Sequence, residues 1–414
     1  MAVIAVMALS AHVEAGGPVN WPQFRGPTGQ GIAEGASLPV RWSEKEHVVW
    51  KAPLPGAGHS SPVIWGDQVW VTAASIDGKA LGVLCVDRNT GALLHNVTAF
   101  EPQEVQEIHQ DNTYASPTPA IEAGRLYVHY GRYGAACLDT SSAEVLWRNE
   151  DLVIDHQGGP GSSPLLFEDL LIVNCDGADQ QYVVALETNS GRERWRTVRS
   201  APYRDDPILK RAFSTPLLVQ HDGGRELIST GADQVHAYDP ATGGELWHVT
   251  YEGFSTVPAP AAADGVAYVC TGFFDPKLLA IRLDGRGDVT GDRVRWSYDR
   301  AVPETPSPIV IDSRVYFVSN KGIATALDVA TGERTWTKRL GGNYSASPVT
   351  DGRQLYFCGE SGITQVVLIG QRPRIIAANK LSGRIMASPA VSGDGLYIRT
   401  DEALYRIENA IGGK

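Results

Sequence analysis

The composition of this chain excludes several classes of protein. It has 414 residues and a formal net charge of −11, with Lys and Arg scattered along its length. This charge argues against non-specific nucleic-acid binding and against binding to anionic membranes. The 44 Gly, 25 Pro and 10 Trp are typical of an all-β fold with many turns. After the first residues, no segment reaches the ~18 uninterrupted apolar residues of a spanning helix, so we expect no transmembrane segment.

The start of the chain differs from the rest. Residues 1–15 form an apolar stretch that ends in small residues, which is typical of the second half of a secretory signal peptide, although the positively charged start is missing. We therefore expect a truncated or mis-started signal peptide over 1–15 and an N-terminal extension over 16–46. A periplasmic or secreted location follows from this interpretation, and a disordered cytoplasmic tail is the alternative.

A short pattern then recurs along residues 47–410. A Ser-Pro or Thr-Pro step is followed by an Asp-x-x-Thr-Gly turn and a Trp, most clearly from Thr215 to Trp247 and from Ser307 to Trp336. Repeats of this length indicate one small β unit used many times, so we expect a single repeat domain over 47–410. Eight prolines mark the copies: Pro62, Pro117, Pro164, Pro216, Pro258, Pro308, Pro348 and Pro389.

The turn and the Trp of each copy have a physical explanation. An Asp at the start of the turn accepts hydrogen bonds from backbone NH groups, and the Gly tolerates the positive φ that closes a tight hairpin. A large indole after the turn is suited to packing between neighbouring sheets. We expect this docking role for six tryptophans: Trp50, Trp147, Trp195, Trp247, Trp296 and Trp336.

The two ends of the repeat region complement each other. The eighth copy stops one strand short, and residues 47–51 form an isolated fourth strand that carries Trp50. Pairing the two removes the open edge of the last sheet. The sequence therefore predicts an all-β, eight-bladed β-propeller of four-stranded antiparallel blades, closed by the strand around Trp50. Seven blades is the rival count.

The five cysteines are spread along the chain without a CxxC motif or an adjacent pair, and each follows an apolar stretch. Buried free thiols are therefore favoured over a disulfide framework or a zinc site. The sequence contains no HExxH motif, no phosphate-binding loop and no His/Cys spacing typical of a metal centre.

The Ser-Pro strand, the Leu-Asp-x-x-Thr-Gly turn and the trailing Trp resemble the repeat of the PQQ-like, quinoprotein-type β-propellers. Two segments, 21–27 and 114–119, resemble an exported bacterial group of such propellers that is largely without assigned function. The resemblance covers nearly all of the chain from Trp21 onward. It predicts the fold rather than the activity, because one propeller frame carries many unrelated sites.

The resemblance implies three functions. The first is a quinoprotein dehydrogenase that oxidises alcohols or sugars with PQQ and calcium, although the adjacent-cysteine disulfide of many such enzymes has no counterpart here. The second is a BamB-type outer-membrane assembly scaffold; these carry a lipid on an N-terminal cysteine, and since the first cysteine is Cys85, we expect no such anchor. The third is an exported binding propeller with an unassigned ligand.

In a propeller, the loops between blades share one face with the loops joining the second and third strands, and ligands usually bind there. Reading those loops gives the ligand-binding candidates His59, His109, Asn112, Tyr114, His156, Asp176, Asp179, Tyr203, Arg204, Lys321, Tyr344 and Glu360. Each has a structural alternative, such as turn capping by Asn112 or ordinary loop polarity.

Three candidates suggest specific chemistry. Tyr114 is expected to stack on a ligand. Asp176 and Asp179 offer two carboxylates to calcium, although an Asp-Gly pair is also a common turn. Lys321 and Glu360 either face a substrate or pair with each other, and pairing is favoured.

The sequence favours an exported, non-catalytic, monomeric scaffold that holds a partner protein or a small polar or carbohydrate ligand on these loops. The alternative is a PQQ-dependent oxidoreductase. A third hypothesis, a carbohydrate-processing hydrolase, requires an inward-facing carboxylate pair.

Overall fold

Each copy of the repeat folds into one blade of a closed ring. The computed structural model describes residues 19–221 and 223–410, and within them eight antiparallel sheets are arranged around a central axis. The predicted eight-bladed propeller is confirmed, and the count of seven is wrong. The predicted signal peptide, residues 1–15, lies outside the described residues.

Blades 1 to 4 take their strands in chain order, from the innermost strand to the outermost. Blade 1 consists of β2 (Val63–Trp65), β3 (Gln68–Ala74), β4 (Leu81–Asp87) and β5 (Leu93–Phe100), and blade 2 of β6 (Ala120–Glu122), β7 (Arg125–His129), β8 (Ala135–Asp139) and β9 (Val145–Asn149). Blade 3 consists of β10 (Leu165–Phe167), β11 (Leu170–Asp176), β12 (Gln181–Glu187) and β13 (Glu193–Val198), and blade 4 of β14 (Leu217–His221), β15 (Gly224–Thr230), β16 (Gln234–Tyr238) and β17 (Glu245–Thr250). Two short 3₁₀ helices, Gly131–Tyr133 and Pro207–Leu209, lie in loops.

Blades 5 to 8 follow the same plan with two departures. Blade 5 consists of β18 (Ala261–Ala263), β19 (Val266–Cys270), β20 (Leu278–Arg282) and β22 (Val294–Tyr298), and blade 6 of β23 (Ile309–Ile311), β24 (Arg314–Val318), β25 (Ile323–Asp328) and β26 (Arg334–Arg339). Blade 7 consists of β27 (Val349–Thr350), β28 (Gln354–Cys358), β29 (Ile363–Leu368) and β30 (Arg374–Lys380), and blade 8 contains β31 (Ala390–Ser392), β32 (Gly395–Arg399) and β33 (Ala403–Ile407). The short β21 (Gly287–Asp288) leaves blade 5 and adds a fifth, parallel strand to blade 4. Blade 8 takes its fourth strand from the start of the chain.

That fourth strand is β1 (Val48–Pro53), which pairs antiparallel with β33 and places Lys51 opposite Tyr405. Trp50 lies on this strand and donates its indole NH to the carbonyl of Arg88 in blade 1. The ring is therefore closed by main-chain pairing between the two ends of the repeat region, as predicted.

The Ser-Pro steps form hydrogen bonds between blades. The first strand of every blade begins directly after a proline. In blades 1 and 2 the residue before that proline donates its backbone NH to the hydroxyl of the matching residue in the next blade: Ser61 donates to Thr118, and Thr118 donates to Ser163. The same relation joins blades 5 to 8. Two of the eight prolines that were predicted to mark the copies are wrong: β6 follows Pro119 rather than Pro117, and β18 follows Pro260 rather than Pro258.

The Thr-Gly turns have a second role beyond hairpin closure. A Cβ on Gly191 would lie 2.5 Å from the ring of Trp147 in the preceding blade, and a Cβ on Gly243 would lie 2.5 Å from Trp195. Both glycines also have positive φ. The glycine therefore provides the flat surface on which the neighbouring indole packs. Trp247 differs, because its NH donates to Glu226 of its own blade.

One end of the ring is crossed by residues 19–36, which we call the N-terminal strap. Trp21 pairs with Ile64 of blade 1, the side chain of Gln30 accepts from the NH of Ala262 in blade 5, and Ile32 bridges to Thr350 in blade 7. Further strap contacts reach the first strands of the other blades.

Arg25 is the central residue of the strap. It is fully buried and donates to the carbonyls of Gln30 and Pro308. Burial lowers its pKa to about 9. Because the strap bonds to strands on opposite sides of the ring, it closes this end of the channel, which we call the bottom face.

Candidate functional site

The opposite end, the top face, carries the loops between blades and the loops joining second to third strands. All twelve candidates predicted from the sequence lie on or directly beneath it. The interblade loops that lead into blades 2, 3 and 4 (101–119, 150–164 and 199–216) bond to one another and are longer than those that lead into blades 7 and 8 (340–348 and 381–389). The two sides therefore differ in construction.

On the side of blades 2 to 4, Asn112 joins two interblade loops. Its amide nitrogen donates to the carbonyls of Gly158 (2.7 Å) and Pro160 (3.1 Å), and its oxygen accepts from the NH of Thr113. A Cβ on Gly159 would lie 2.8 Å from this amide, so the glycine permits the close approach. Asn112 therefore fixes the loops in place.

His156 lies beneath these loops and is buried. Its ring packs edge-on against Tyr133, and a Cβ on Gly131 would lie 2.6 Å from its Nδ1. Burial lowers its pKa to about 4, so the ring is neutral at pH 7. The neighbouring His129 is also buried and neutral, with its Nδ1 3.1 Å from the carbonyl of Ser162.

The two proposed calcium ligands have other partners. Both oxygens of Asp176 accept hydrogen bonds from the guanidinium of Arg199, at 2.6 and 2.7 Å, and both side chains are buried. Asp179 is exposed and accepts from the backbone NH groups of Asp155 and Gln180. Asp176 thus forms a buried ion pair between strands, and Asp179 caps a turn.

Tyr203 and Arg204 lie in the loop between blades 3 and 4. Arg204 forms a bidentate pair with Asp233, with distances of 2.8 and 2.7 Å. The hydroxyl of Tyr203 is buried, and burial raises the pKa of this group. Arg199 and Asp233, which sequence reasoning did not single out, are therefore the partners that hold this part of the face.

A second polar group lies on the side of blades 7, 8 and 1. Glu360 accepts from the hydroxyl of Ser345 (2.7 Å) and from the guanidinium of Arg384 (2.8 Å). Glu360 thus pairs with Arg384, and among the described residues no ion pair joins it to Lys321. Lys321 is exposed.

His59 is half-buried next to this group. Burial and the positive charges of Arg399 and Arg384 lower its pKa to about 4. Arg399 is itself buried and donates to the carbonyls of Ser60 and Thr72 in blade 1.

The remaining candidates are divided between core and surface. Tyr114 is buried and donates its hydroxyl to the carbonyl of Gln106, and Tyr344 is 1% exposed within an apolar cluster. Neither ring presents a stacking surface to solvent. His109 is exposed and pairs loosely with Asp111 at 3.7 Å.

Sequence reasoning missed an apolar component of the top face. Four large apolar side chains stand exposed on its loops: Ile76, Val153, Ile208 and Phe274. Phe274 is 75% exposed and has φ of 58°, next to Asp275 with φ of 55°. A bulky residue rarely adopts this conformation, which costs free energy.

The three carboxylates among the predicted candidates do not form a PQQ–calcium centre. Calcium requires several oxygen ligands, but Asp176 and Glu360 are bound to arginines and Asp179 to backbone NH groups. The five cysteines are buried, free and far apart in the sequence. The described part of the chain contains no helix long and apolar enough to cross a membrane.

Comparisons with known proteins agree with this architecture. The chain is 21% identical over 317 residues to the outer membrane protein assembly factor BamB of Shewanella oneidensis, which covers 72% of this chain and 75% of that protein. It is 25% identical over 216 residues to BamB of Yersinia pestis, covering 50% and 48%.

Solved structures show the same fold. The crystal structure of BamB from Moraxella catarrhalis superposes with a TM-score of 0.62 and 17% identity, covering 89% of this chain and 98% of that one. The quinohemoprotein alcohol dehydrogenase of Comamonas testosteroni superposes with a TM-score of 0.67 and 12% identity, covering 96% and 82%. At these identities the likeness concerns the fold alone.

The family profile described as outer membrane protein assembly factor BamB matches residues 35–150, 80–220 and 179–413. Together these matches span the whole propeller, and the chain belongs to this family.

Proposed function

We propose that this protein is an exported, non-catalytic scaffold that binds a partner protein on its top face. The observation that carries the proposal is the display of Phe274, a solvent-exposed aromatic side chain on a backbone of positive φ. Exposed aromatic side chains on a rigid frame are typical anchors of protein interfaces. The name of the relatives, assembly factors for outer membrane proteins, describes a role exerted on other proteins.

The polar groups support a binding role for the top face. Asp176, Arg204 and Glu360 are each bound to an oppositely charged partner. Asn112 is bound to main-chain carbonyls. Groups engaged in this way hold loops in position for docking, and they are poorly placed for proton transfer to a substrate.

The test compares a top-face variant with a matched surface variant in native cells. Ile76→Ala/Phe274→Ala removes two exposed top-face side chains, and Ile375→Ala removes one on the outer strand of blade 7. We expect affinity purification followed by mass spectrometry to recover the same envelope proteins with wild type and Ile375→Ala, and to lose them with the double variant. Recovery of those proteins by the double variant would contradict the proposal.

The oxidoreductase alternative is tested on the same preparations. Purified protein is mixed with PQQ and Ca²⁺ and then with primary alcohols or aldoses. We expect no substrate-dependent reduction of an added dye. Turnover above the PQQ–calcium blank would overturn the non-catalytic assignment.

A further inference from the structure

Three potential metal ligands meet on blade 4, away from the top-face loops. His236 lies on β16, and Glu245 and His248 lie on β17. Each residue offers one donor atom, and these three atoms all lie within 4.8 Å of one another. His236 and His248 are direct cross-strand partners, and their rings are 5.4 Å apart. The two imidazoles and the carboxylate therefore face one another on the same side of the sheet.

The orientation of His236 leaves one nitrogen turned toward the carboxylate without a hydrogen bond. Its Nε2 lies 2.6 Å from Oε1 of Gln234, and the amide NH₂ of Gln234 donates to the carbonyl of Ala201, which turns Oε1 toward the ring. With this amide orientation, the tautomer that satisfies Nε2 carries its proton there and leaves the lone pair on Nδ1. Nδ1 is buried, lacks a partner in hydrogen-bond geometry, and lies 3.3 Å from Oε2 of Glu245.

A buried lone pair facing a carboxylate oxygen is unfavourable unless a cation lies between them. A metal ion satisfies both groups at once.

His248 completes the arrangement with an outer partner. Its Nδ1 lies 2.7 Å from Oε1 of Glu245, and its Nε2 lies 4.0 Å from Oδ2 of Asp288. Asp288 belongs to β21, the strand that blade 5 adds to blade 4, and its other oxygen is fixed by Thr290. At 4.0 Å Asp288 is too far from His248 for a hydrogen bond, and it contributes a nearby negative charge that favours a cation at this site.

We propose that His236, Glu245 and His248 bind one divalent transition-metal ion, with Zn²⁺ as the preferred metal. Two imidazoles and a carboxylate form a ligand set that zinc uses, with bonds of about 2.0–2.2 Å and a fourth position left for water. The side chain of His236 is fully buried, while Glu245 and His248 are 21% and 17% exposed, so the ion enters from their side. The site links β16 to β17 and does not depend on the proposed function of the top face.

The test uses untagged, full-length protein that is stripped with EDTA, dialysed against Zn²⁺ and analysed for bound metal. We expect one Zn²⁺ per chain in wild type. His248→Gln and Glu245→Gln are chosen because these side chains are partly exposed, and we expect each to weaken Zn²⁺ binding by at least about 100-fold. Asp288→Asn, which removes a nearby negative charge without removing a ligand, is expected to weaken it by less than about 10-fold.

The matched control is His95→Gln, which removes a histidine from the outer strand of blade 1, where it stacks on Trp70. This variant is expected to bind Zn²⁺ as wild type does. Co²⁺ provides a second readout, since tetrahedral coordination gives visible absorption that is expected in wild type and His95→Gln but not in His248→Gln. Wild type without stoichiometric metal, or His248→Gln with wild-type affinity, would overturn the proposal.

Discussion

The two ends of the propeller channel are built from the same repeat and differ in what they leave exposed. At the bottom face, the strap forms main-chain and side-chain bonds to strands around the ring, and Trp21 and Arg25 are fully buried. At the top face, polar groups are paired in a similar way, but apolar side chains such as Phe274 remain in solvent. The difference indicates that the bottom face contributes to stability and that the top face is available for binding.

The largest expected effect concerns the strap. Trp21→Ala removes a fully buried indole that joins the strap to blade 1, and we expect a loss of about 3–5 kcal/mol in the free energy of unfolding. Val19→Ala, at a 56% exposed strap position, is the control and is expected to change it by less than about 0.5 kcal/mol. Urea unfolding measures both. If Trp21→Ala cost no more than Val19→Ala, the strap would add little to stability.

A comparable loss is expected beneath the top face. Asp176→Asn leaves the buried charge of Arg199 without its partner, which costs about 3–5 kcal/mol. Asp169→Asn breaks the exposed pair with Arg194 and is expected to cost at most about 1 kcal/mol. If Asp176→Asn retained wild-type stability, Asp176 would not be a structural residue and its role as a ligand would regain support.

An intermediate effect is expected at the glycines of two bottom-face turns. Gly191→Ala and Gly124→Ala both place a side chain at positive φ, but only Gly191 packs against an indole, that of Trp147. The shared backbone strain costs about 1–2 kcal/mol. The clash with Trp147 is expected to add about 1–3 kcal/mol for Gly191→Ala alone. Equal losses for the two variants would contradict the docking role of the indole.

The effect that is smallest at neutral pH is a dependence on pH from a buried histidine beneath the top face. Burial lowers the pKa of His129 to about 4, so the unfolded chain binds more protons between pH 6.5 and 4. The stability that neutral His129 contributes is complete above pH 6.5 and is lost as the pH falls toward 4. Its largest slope is about 1.4 kcal/mol per pH unit. We expect His129→Gln to reduce the acid sensitivity of the urea midpoint, and an unchanged sensitivity would argue against burial as the cause.

Much of the fold could be predicted because the same pattern of strands and turns recurs in every blade. The missing last strand and the isolated Trp50 were sufficient to predict closure. The errors arose where the pattern was locally ambiguous, as at residues 116–119, where two prolines compete for the anchor position and the second one precedes the strand.

The candidate site was less predictable because loop contacts connect distant residues. Tyr114 is polar in its loop and buried in the fold, and Glu360 pairs with Arg384 rather than with Lys321. In an ideal strand, Glu245 and His248 would point to opposite faces. A β-bulge next to Glu245 brings them to the same face, so no sequence spacing indicated the metal ligands.

The central claim is that the top face binds a partner protein and the bottom face does not. The most direct measurement is photo-crosslinking in native cells with a photoreactive amino acid at Phe274 on the top face and, separately, at Asp67 in an exposed bottom-face turn of blade 1. The account predicts a discrete protein adduct from position 274 and none from position 67. Adducts from position 67 alone, or from neither position, would contradict it.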